Sequence, residues 1–274
     1  EWFKNRSHLT GLYEYLLTGP MNDIPVTLIV KLSETTETLN RVLTYRDSIS
    51  LLHIPEVSDI WVRDWGPIRS NNGSIRAIYA PAYLKDYRHE AESDNSAGAK
   101  LAQHVTPRVD NLGLVLDFGN FIHNGEGTAI MTTRVFEDNK PLSQDDIRTL
   151  FKDRCGIDRC VFVEEEPDDK TGHIDGTARF LDEMTIAVGR YGKNDAALRD
   201  ATDRIADSIA SALPECDIVR VPHGPVRYSE GKEGMPSARG NHMNFLRCGN
   251  RLFVPCYGDR DDTEAVEIIS RAVP

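Results

Sequence analysis

Short apolar runs recur along the chain in pairs, each pair joined by polar turn residues and followed by a stretch with helical periodicity. The first complete pair, Gly66 to Ala80, turns at Asn71-Asn72-Gly73. In the second, Asn120-Phe121-Ile122-His123-Asn124-Gly125 leads into the apolar stretch Thr128 to Thr132. The third runs from Thr177 to Gly189 and turns near Asp182-Glu183. The fourth passes from Asn244-Phe245-Leu246-Arg247-Cys248-Gly249 into Arg251 to Cys256. Strands bounded by Asn, Asp and Gly read as hairpins. The helical stretches that follow are Ser96 to Val105, Ser143 to Asp153, Asp195 to Leu213 and Asp262 to Ala272. The second opens with Ser143-x-x-Asp146, a capping box, and the third carries Ile205, Ile209 and Leu213 on one face. After the first three helices come short apolar strands at Gly113 to Leu116, Cys160 to Val163 and Asp217 to Val221.

The repeating unit is therefore strand, strand, helix, strand, recurring about every 55 to 65 residues. Val26 to Val30, Thr35 to Leu43 and Leu51 to Ile54 supply the strand, helix and strand of a unit without its first strand. The last unit stops at Pro274, where its closing strand should begin. Five units result in one domain over residues 1–274, the first and last cut short, so the chain reads as incomplete at both ends. A doubly wound parallel sheet also alternates strands and helices, but it has no place for the hairpins.

Composition narrows the function classes. The 274 residues are 40% apolar and 27% charged, ordinary for a globular protein, and 32 basic against 43 acidic side chains leave a net charge of −11. That balance argues against nucleic-acid or anionic-membrane partners and permits an acidic cleft for a cation. No apolar run approaches the length of a spanning helix, and no signal-peptide pattern opens the chain. The chain begins at Glu1 without Met, which leaves room for a targeting segment ahead of it. Five cysteines (Cys155, Cys160, Cys216, Cys248, Cys256) without metal-type spacing read as reduced, structural thiols in a cytoplasmic protein.

Three segments concentrate chemistry, each just beyond a unit's closing strand. Asp59-Ile60-Trp61-Val62-Arg63-Asp64-Trp65-Gly66-Pro67 holds two Trp, two Asp and an Arg; its plain reading is a strand with a salt bridge and a Gly-Pro turn. Thr171-Gly172-His173-Ile174-Asp175-Gly176 follows a polar loop, Glu164 to Lys170. On an extended backbone His173 and Asp175 would share a face, and the flanking glycines admit close approach. A turn histidine beside a surface aspartate is the plain alternative. Leu116-Asp117-Phe118-Gly119-Asn120 is by itself a turn. Loops converging at one end of a rigid scaffold are a usual seat of activity.

Trp61-x-Arg63-Asp64-x-Gly66-Pro67, Gly172-His173-Ile174-Asp175-x-x-Ala178-Arg179-Phe180 and Asn244-Phe245 together resemble the agmatine deiminase and bacterial peptidylarginine deiminase family, guanidino-group-modifying enzymes. The resemblance covers about Ile24 to Ala272. It implies an α/β pentein fold, a five-bladed propeller of ββαβ units with pseudo-fivefold symmetry, in agreement with the five units counted above. It also implies a single catalytic domain that hydrolytically deiminates a guanidinium without metal or organic cofactor. Asp64 and Asp175 would grip the forked N–H donors of the cation, as carboxylates do. Trp61 would pack along the substrate stem or stack on the guanidinium as a cation–π contact, and Asp117, Asn120 and Asn244 would bind substrate. His173 would serve as general acid and base, and a cysteine thiolate as nucleophile. The family's nucleophile lies in a Gly-rich stretch ending His-Cys, which these residues do not contain; unit symmetry places it beyond Pro274. Cys256 matches a position that is not the nucleophile. Phe118 departs from the family, which commonly has Gly before Gly-Asn, and bears on how closely backbone or ligand can approach there.

Agmatine is the substrate that the Gly-His-Ile-Asp-x-x-Ala-Arg-Phe run implies, converted to N-carbamoylputrescine and ammonia. Peptidylarginine or free arginine, converted to citrulline, is the alternative. Two other classes stay open at the level of sequence. One is a guanidine-binding protein without a nucleophile; the other is a metal-dependent amidohydrolase using His173 and Asp175, for which no third ligand is spaced. Loop Ser229 to Arg239 reads equally as a lid or an exposed linker. The resemblance also allows a homo-oligomer.

Overall fold

The computed structural model describes residues 14–31, 48–70, 73–224 and 237–273. Thirteen strands among them form five sheets that follow one another along the chain. β1 (Val26–Val30) and β2 (Ile49–His53) pair parallel. β3 (Ile68–Ser70) and β4 (Gly73–Ile78) form a hairpin, and β5 (Val109–Val115) adds parallel to β4. The pattern recurs in β6 (Ile122–His123), β7 (Thr128–Thr132) and β8 (Arg159–Val163), and again in β9 (Ala178–Phe180), β10 (Thr185–Arg190) and β11 (Asp217–Pro222). β12 (Leu246–Cys248) and β13 (Arg251–Phe253) close the series as a hairpin. The helices are α1 (Val62–Trp65), α2 (Arg88–Val105), α3 (Arg134–Asp138), α4 (Gln144–Cys155), α5 (Ala196–Ala212) and α6 (Asp261–Ala272). A parallel neighbour cannot be reached by a tight turn, so each third strand follows a crossover helix: α2, α4 and α5. The expected helix Thr35 to Leu43 lies outside the described residues.

Local chemistry fixes the boundaries. α4 starts where the Ser143 hydroxyl accepts the Asp146 amide and the Asp146 carboxylate accepts the Ser143 amide, and it ends on Gly156 at φ 68°. α2 begins eight residues earlier than the periodicity suggested. Ala91, Asp94, Ala97, Gly98, Leu101 and Ala102 form its buried stripe, and the polar letters between them hid the first two turns. Gly98 is required there, because a Cβ would lie 2.3 Å from the Trp65 carbonyl oxygen. α6 is anchored by Asp262, which accepts the amides of Tyr257, Gly258 and Asp259 and pairs with buried His242 at 2.9 Å.

Packing runs from sheet to sheet. Ile29, Leu52 and Ile54 meet Trp65, Tyr79 and Leu84. Ile75, Leu112 and Leu114 of the second sheet join Met131, Ile147 and Phe151 of the third unit. Ile130 and Val161 pack with Ile186, Ile205 and Ile209, and Ala187 and Val221 with Phe245, Ala265 and Ile269. The two ends of the series also touch: the Arg251 guanidinium on β13 forks onto both oxygens of Asp23, just ahead of β1. An exposed pair of this kind adds little stability, about 0–1 kcal/mol, but it registers last unit against first.

Phe151 is fully buried, stacked on Phe121 with ring centroids 5.4 Å apart. Phe151→Ala should destabilise the fold by about 3–5 kcal/mol, lowering Tm by about 10 °C in a thermal melt. The exposed Leu246→Ala should leave Tm nearly unchanged; equal effects would contradict the core assignment.

Candidate active site

The segment after β2 is neither strand nor turn but the single helical turn α1. Asp94, buried on α2, accepts the Ser58 and Asp59 amides and fixes the entry. The turn closes through Asp64 N–H to the Trp61 carbonyl and Gly66 N–H to the Val62 carbonyl. Gly66 is needed at its end, since a Cβ would fall 2.4 Å from the Val62 oxygen. This turn carries the Asp64 carboxylate inward and leaves the Trp61 indole 54% exposed. After β5 the chain makes a 3-10 turn, Phe118–Asn120, preceded by buried Asp117. After β8 the polar loop leads to Gly172 and His173. Asp175 follows at the start of a turn, where its amide donates to the Gly119 carbonyl. The extended face expected for His173 and Asp175 is therefore absent, and they meet the other loops from an irregular segment.

The three loops converge on the His173 ring. Its Nε2 lies 3.0 Å from Asp117 Oδ2, and its Nδ1 lies 3.9 Å from Asp64 Oδ1. Tyr83 sets its ring against the imidazole with centroids 6.1 Å apart, and burial together with the charge of Asp117 pushes its hydroxyl well above the ordinary pKa. Gly119 is the spacer: a Cβ there would sit 2.4 Å from His173 Nδ1 and 2.6 Å from Asp64 Oδ1. The departure at Phe118 is thereby accommodated. The Phe118 ring turns into the core against Phe121, and the close approach falls on the next residue, Gly119. Asp175 Oδ2 faces Arg63 Nε at 3.8 Å, while Arg63 also donates to the Phe121 carbonyl.

Three carboxylates around one imidazole distort every proton equilibrium in the cluster. Burial pushes Asp64 up to about 7; the charges of Asp175 and Asp117 push the same way, against His173 and Arg63. Burial alone would strip the proton from His173. The hydrogen bond to Asp117 and the charges of Asp64, Asp117 and Asp175 outweigh it and hold the imidazole up at about 9. His173 is therefore held as an imidazolium donating Nε2–H to Asp117 at neutral pH, and Asp64 keeps its proton well above the usual carboxylate range. Burial lowers the Arg179 guanidinium, Asp175 draws it back up, and its plane lies 4.8 Å over the Phe245 ring.

The remaining expected residues are placed differently. Asn120 is buried, and its Oδ1 accepts the Thr132 amide, so it braces loop to strand. Asn244 is exposed, its amide donating to the Asn241 carbonyl, and the link from that segment to the site runs through Phe245 and Arg179. Loop Ser229 to Arg239 is described only from residue 237 onward. Tyr83, Gly119 and the pairing of Arg63 carried no periodic or spacing signal, since each acts across loops distant in sequence. Burial holds the thiols of Cys155, Cys160, Cys216 and Cys256 above the ordinary range, up to about 12 for Cys155 and about 11 for Cys160, the reverse of nucleophile activation. Among the described residues no group of three or more His, Cys, Asp and Glu has metal-holding geometry, and no helix is long and apolar enough to cross a membrane. A separate cavity of about 310 Å³ lies between α4 and α5, lined by Gln144, Arg148, Phe162 and Ser208, and takes no part in the cluster.

A ring of ββαβ units whose loops bring carboxylates and a histidine together is the pentein architecture, and the solved structures agree. Agmatine deiminase from C. jejuni superposes with a TM-score of 0.81 at 20% identity, covering 99% of this chain and 83% of that one. The enzyme from Enterococcus faecalis gives 0.73 at 18% identity, with 99% and 82% covered. Residues 11–274 match the Porphyromonas-type peptidyl-arginine deiminases, and the chain belongs to that family. Among curated relatives, agmatine deiminase from Pseudomonas syringae pv. syringae is 26% identical over 263 residues, spanning 79% of this chain and 67% of its own length.

If Asp117 holds the His173 proton, Asp117→Asn should lower the His173 pKa from about 9, because the charge of Asp117 no longer opposes burial while only Asp64 and Asp175 still do. NMR titration of the imidazole reads this directly. An unchanged midpoint would refute the pairing.

Proposed function

We propose that the protein hydrolyses the guanidinium of agmatine to N-carbamoylputrescine and ammonia. The observation that carries this reading is the enclosure of His173 by Asp64 and Asp117, with Asp175 on the same loop two residues away. Such a cluster offers a planar cation two carboxylates and a proton donor, and curated relatives are named agmatine deiminase. Asp64 and Asp175 grip the guanidinium N–H groups and leave its central carbon electron-poor, while Trp61 packs on the methylene stem.

A cysteine thiolate attacks that carbon and forms the C–S bond. The C–N bond breaks, and the departing nitrogen takes a proton from His173 to leave as ammonia. His173, now neutral, removes a proton from water. The hydroxide attacks the same carbon, the C–S bond breaks, the added hydroxyl gives up its proton to the released ammonia, and the ureido product leaves with the thiolate restored. No metal or organic cofactor enters these steps. Reduced cysteines and the absence of disulfides among all five fit a cytoplasmic setting. A homo-oligomeric state rests on the family resemblance alone.

Full-length protein incubated with agmatine should release a ureido product and ammonia. Product from arginine-terminated peptides instead would favour the peptidylarginine alternative, and product from neither would overturn the reading. Asp64→Asn should abolish agmatine binding in a calorimetric titration; unchanged affinity would sink the clamp assignment.

The pH profile of kcat/KM should be bell-shaped. Asp64 gains a proton as pH falls through about 7, removing a clamp charge, and His173 loses its proton as pH rises through about 9, removing the acid for the leaving nitrogen.

A further inference from the structure

The polar loop between β8 and His173 is a built structure. Asp169 Oδ1 accepts both the amide and the hydroxyl of Thr171 at 2.9 and 2.6 Å, and its Oδ2 accepts the His173 amide at 3.0 Å. Three residues earlier, Glu166 is half-buried. Its Oε2 accepts the Thr177 hydroxyl at 2.9 Å, and its Oε1 accepts the Tyr191 hydroxyl in a short hydrogen bond. The Tyr191 ring stacks on buried His223, centroids 4.6 Å apart, which fixes the phenol on β11's side of the unit. Between the two acids Asp168 takes φ 66°, the left-handed region that non-glycine residues rarely occupy, so the turn is held there by its bonds. Burial pushes Glu166 up to about 7, with the hydroxyls of Tyr191 and Thr177 opposing and the charge of Asp169 adding to the rise. A half-buried carboxylate with both oxygens bonded to side-chain hydroxyls gives up hydration for fixed partners, which suits a group that holds something in place.

What the two acids hold is the two ends of one short segment. Asp169 grips its beginning, at the residue that carries the imidazole. Glu166 grips its end at Thr177, two residues past Asp175. The Thr177 amide and the Ala178 amide both donate back to the Ile174 carbonyl, so the hydroxyl at 177 is tied rigidly to the backbone of Asp175. We propose that Glu166 and Asp169 form an acidic bracket of positioning residues with divided duties, Asp169 aiming His173 and Glu166, through Thr177, aiming Asp175. The proposal rests on the deiminase reading above and adds two residues to it, neither touching substrate.

The duties separate kinetically. In an aspartate-to-asparagine change no orientation of the amide accepts on both sides of Asp169, because one side then presents N–H to N–H. Glu166→Gln differs, since the Thr177 and Tyr191 hydroxyls can rotate to accept. Steady-state kinetics on the full-length chain with agmatine test the division.

Asp169→Asn should lower kcat about 10-fold or more with KM within about twofold, a misplaced acid being felt in the chemical step. Glu166→Ala should raise KM about 10-fold with a smaller fall in kcat, and Glu166→Gln should restore most of the loss. Thr177→Val, which keeps the shape and removes only the hydroxyl, should copy Glu166→Ala, and Thr177→Ser should behave as wild type, so the test survives if Glu166→Ala misfolds. Equal shifts of kcat and KM in all variants, or no shift in Thr177→Val, would overturn the bracket. Inactive wild-type protein would count against the deiminase reading instead. In that case NMR titration still tests the Asp169 arm: Asp169→Asn should move the His173 midpoint, and an unmoved midpoint would overturn it.

Discussion

The arrangement depends on keeping three carboxylates, Asp64, Asp117 and Asp175, around a single ring in a place that water barely reaches. Like charges a few ångströms apart repel by about 3 kcal/mol at the effective dielectric of such sites. The cluster survives by holding a proton on His173, by raising the proton affinity of Asp64, and by setting the guanidinium of Arg63 beside Asp175. A site in that condition favours an incoming planar cation, because the cation relieves strain that the protein otherwise carries in shifted proton equilibria. In the deiminase reading proposed above, recognition and acid–base chemistry would have one electrostatic origin.

Holding the charges together is a backbone task. Gly119 lets the turn after β5 pass between His173 and Asp64, and Gly98 lets α2 approach α1 closely, with Asp94 of α2 accepting the Ser58 and Asp59 amides of the segment that leads into α1. Thr132 on β7 donates its hydroxyl to the Gly172 carbonyl, and the Arg134–Glu165 pair lies against Gly172 where a Cβ would collide. Each loop is therefore pinned to the strand or helix of the unit behind it, the usual way a rigid scaffold gives precision to irregular segments. The Phe118 substitution shows the tolerance of the scheme: a large ring enters the core one position before the glycine that cannot change.

Relatives at 18–26% identity share this fold closely, which is what a ring of small units permits. Each sheet packs chiefly on its neighbours, so apolar side chains can be exchanged unit by unit while the strand, strand, helix, strand plan persists.

Much of the fold was legible in the chain, and the reason is periodicity. Hairpins at Thr128, Thr185 and Arg251, the capping box at Ser143 and the Ile205–Ile209 face are all local, so their signals lie within a few residues of each other. The start of α2 was hidden because its buried stripe there consists of Ala91 and Asp94, which hydropathy does not mark. Sequence also singled out Asp64, His173 and Asp175, through motif resemblance. What it could not contain was their geometry. The helical turn at α1, the contact of Asp117 with His173, the bracing role of Asn120 and the hydrogen bonds of Glu166 in a loop that reads as solvated all arise between segments distant along the chain. Sequence by itself determined the repeating unit and the identity of the acids; only the tertiary structure decided which acids share a proton, because that depends on distance and burial across units rather than on order along the chain.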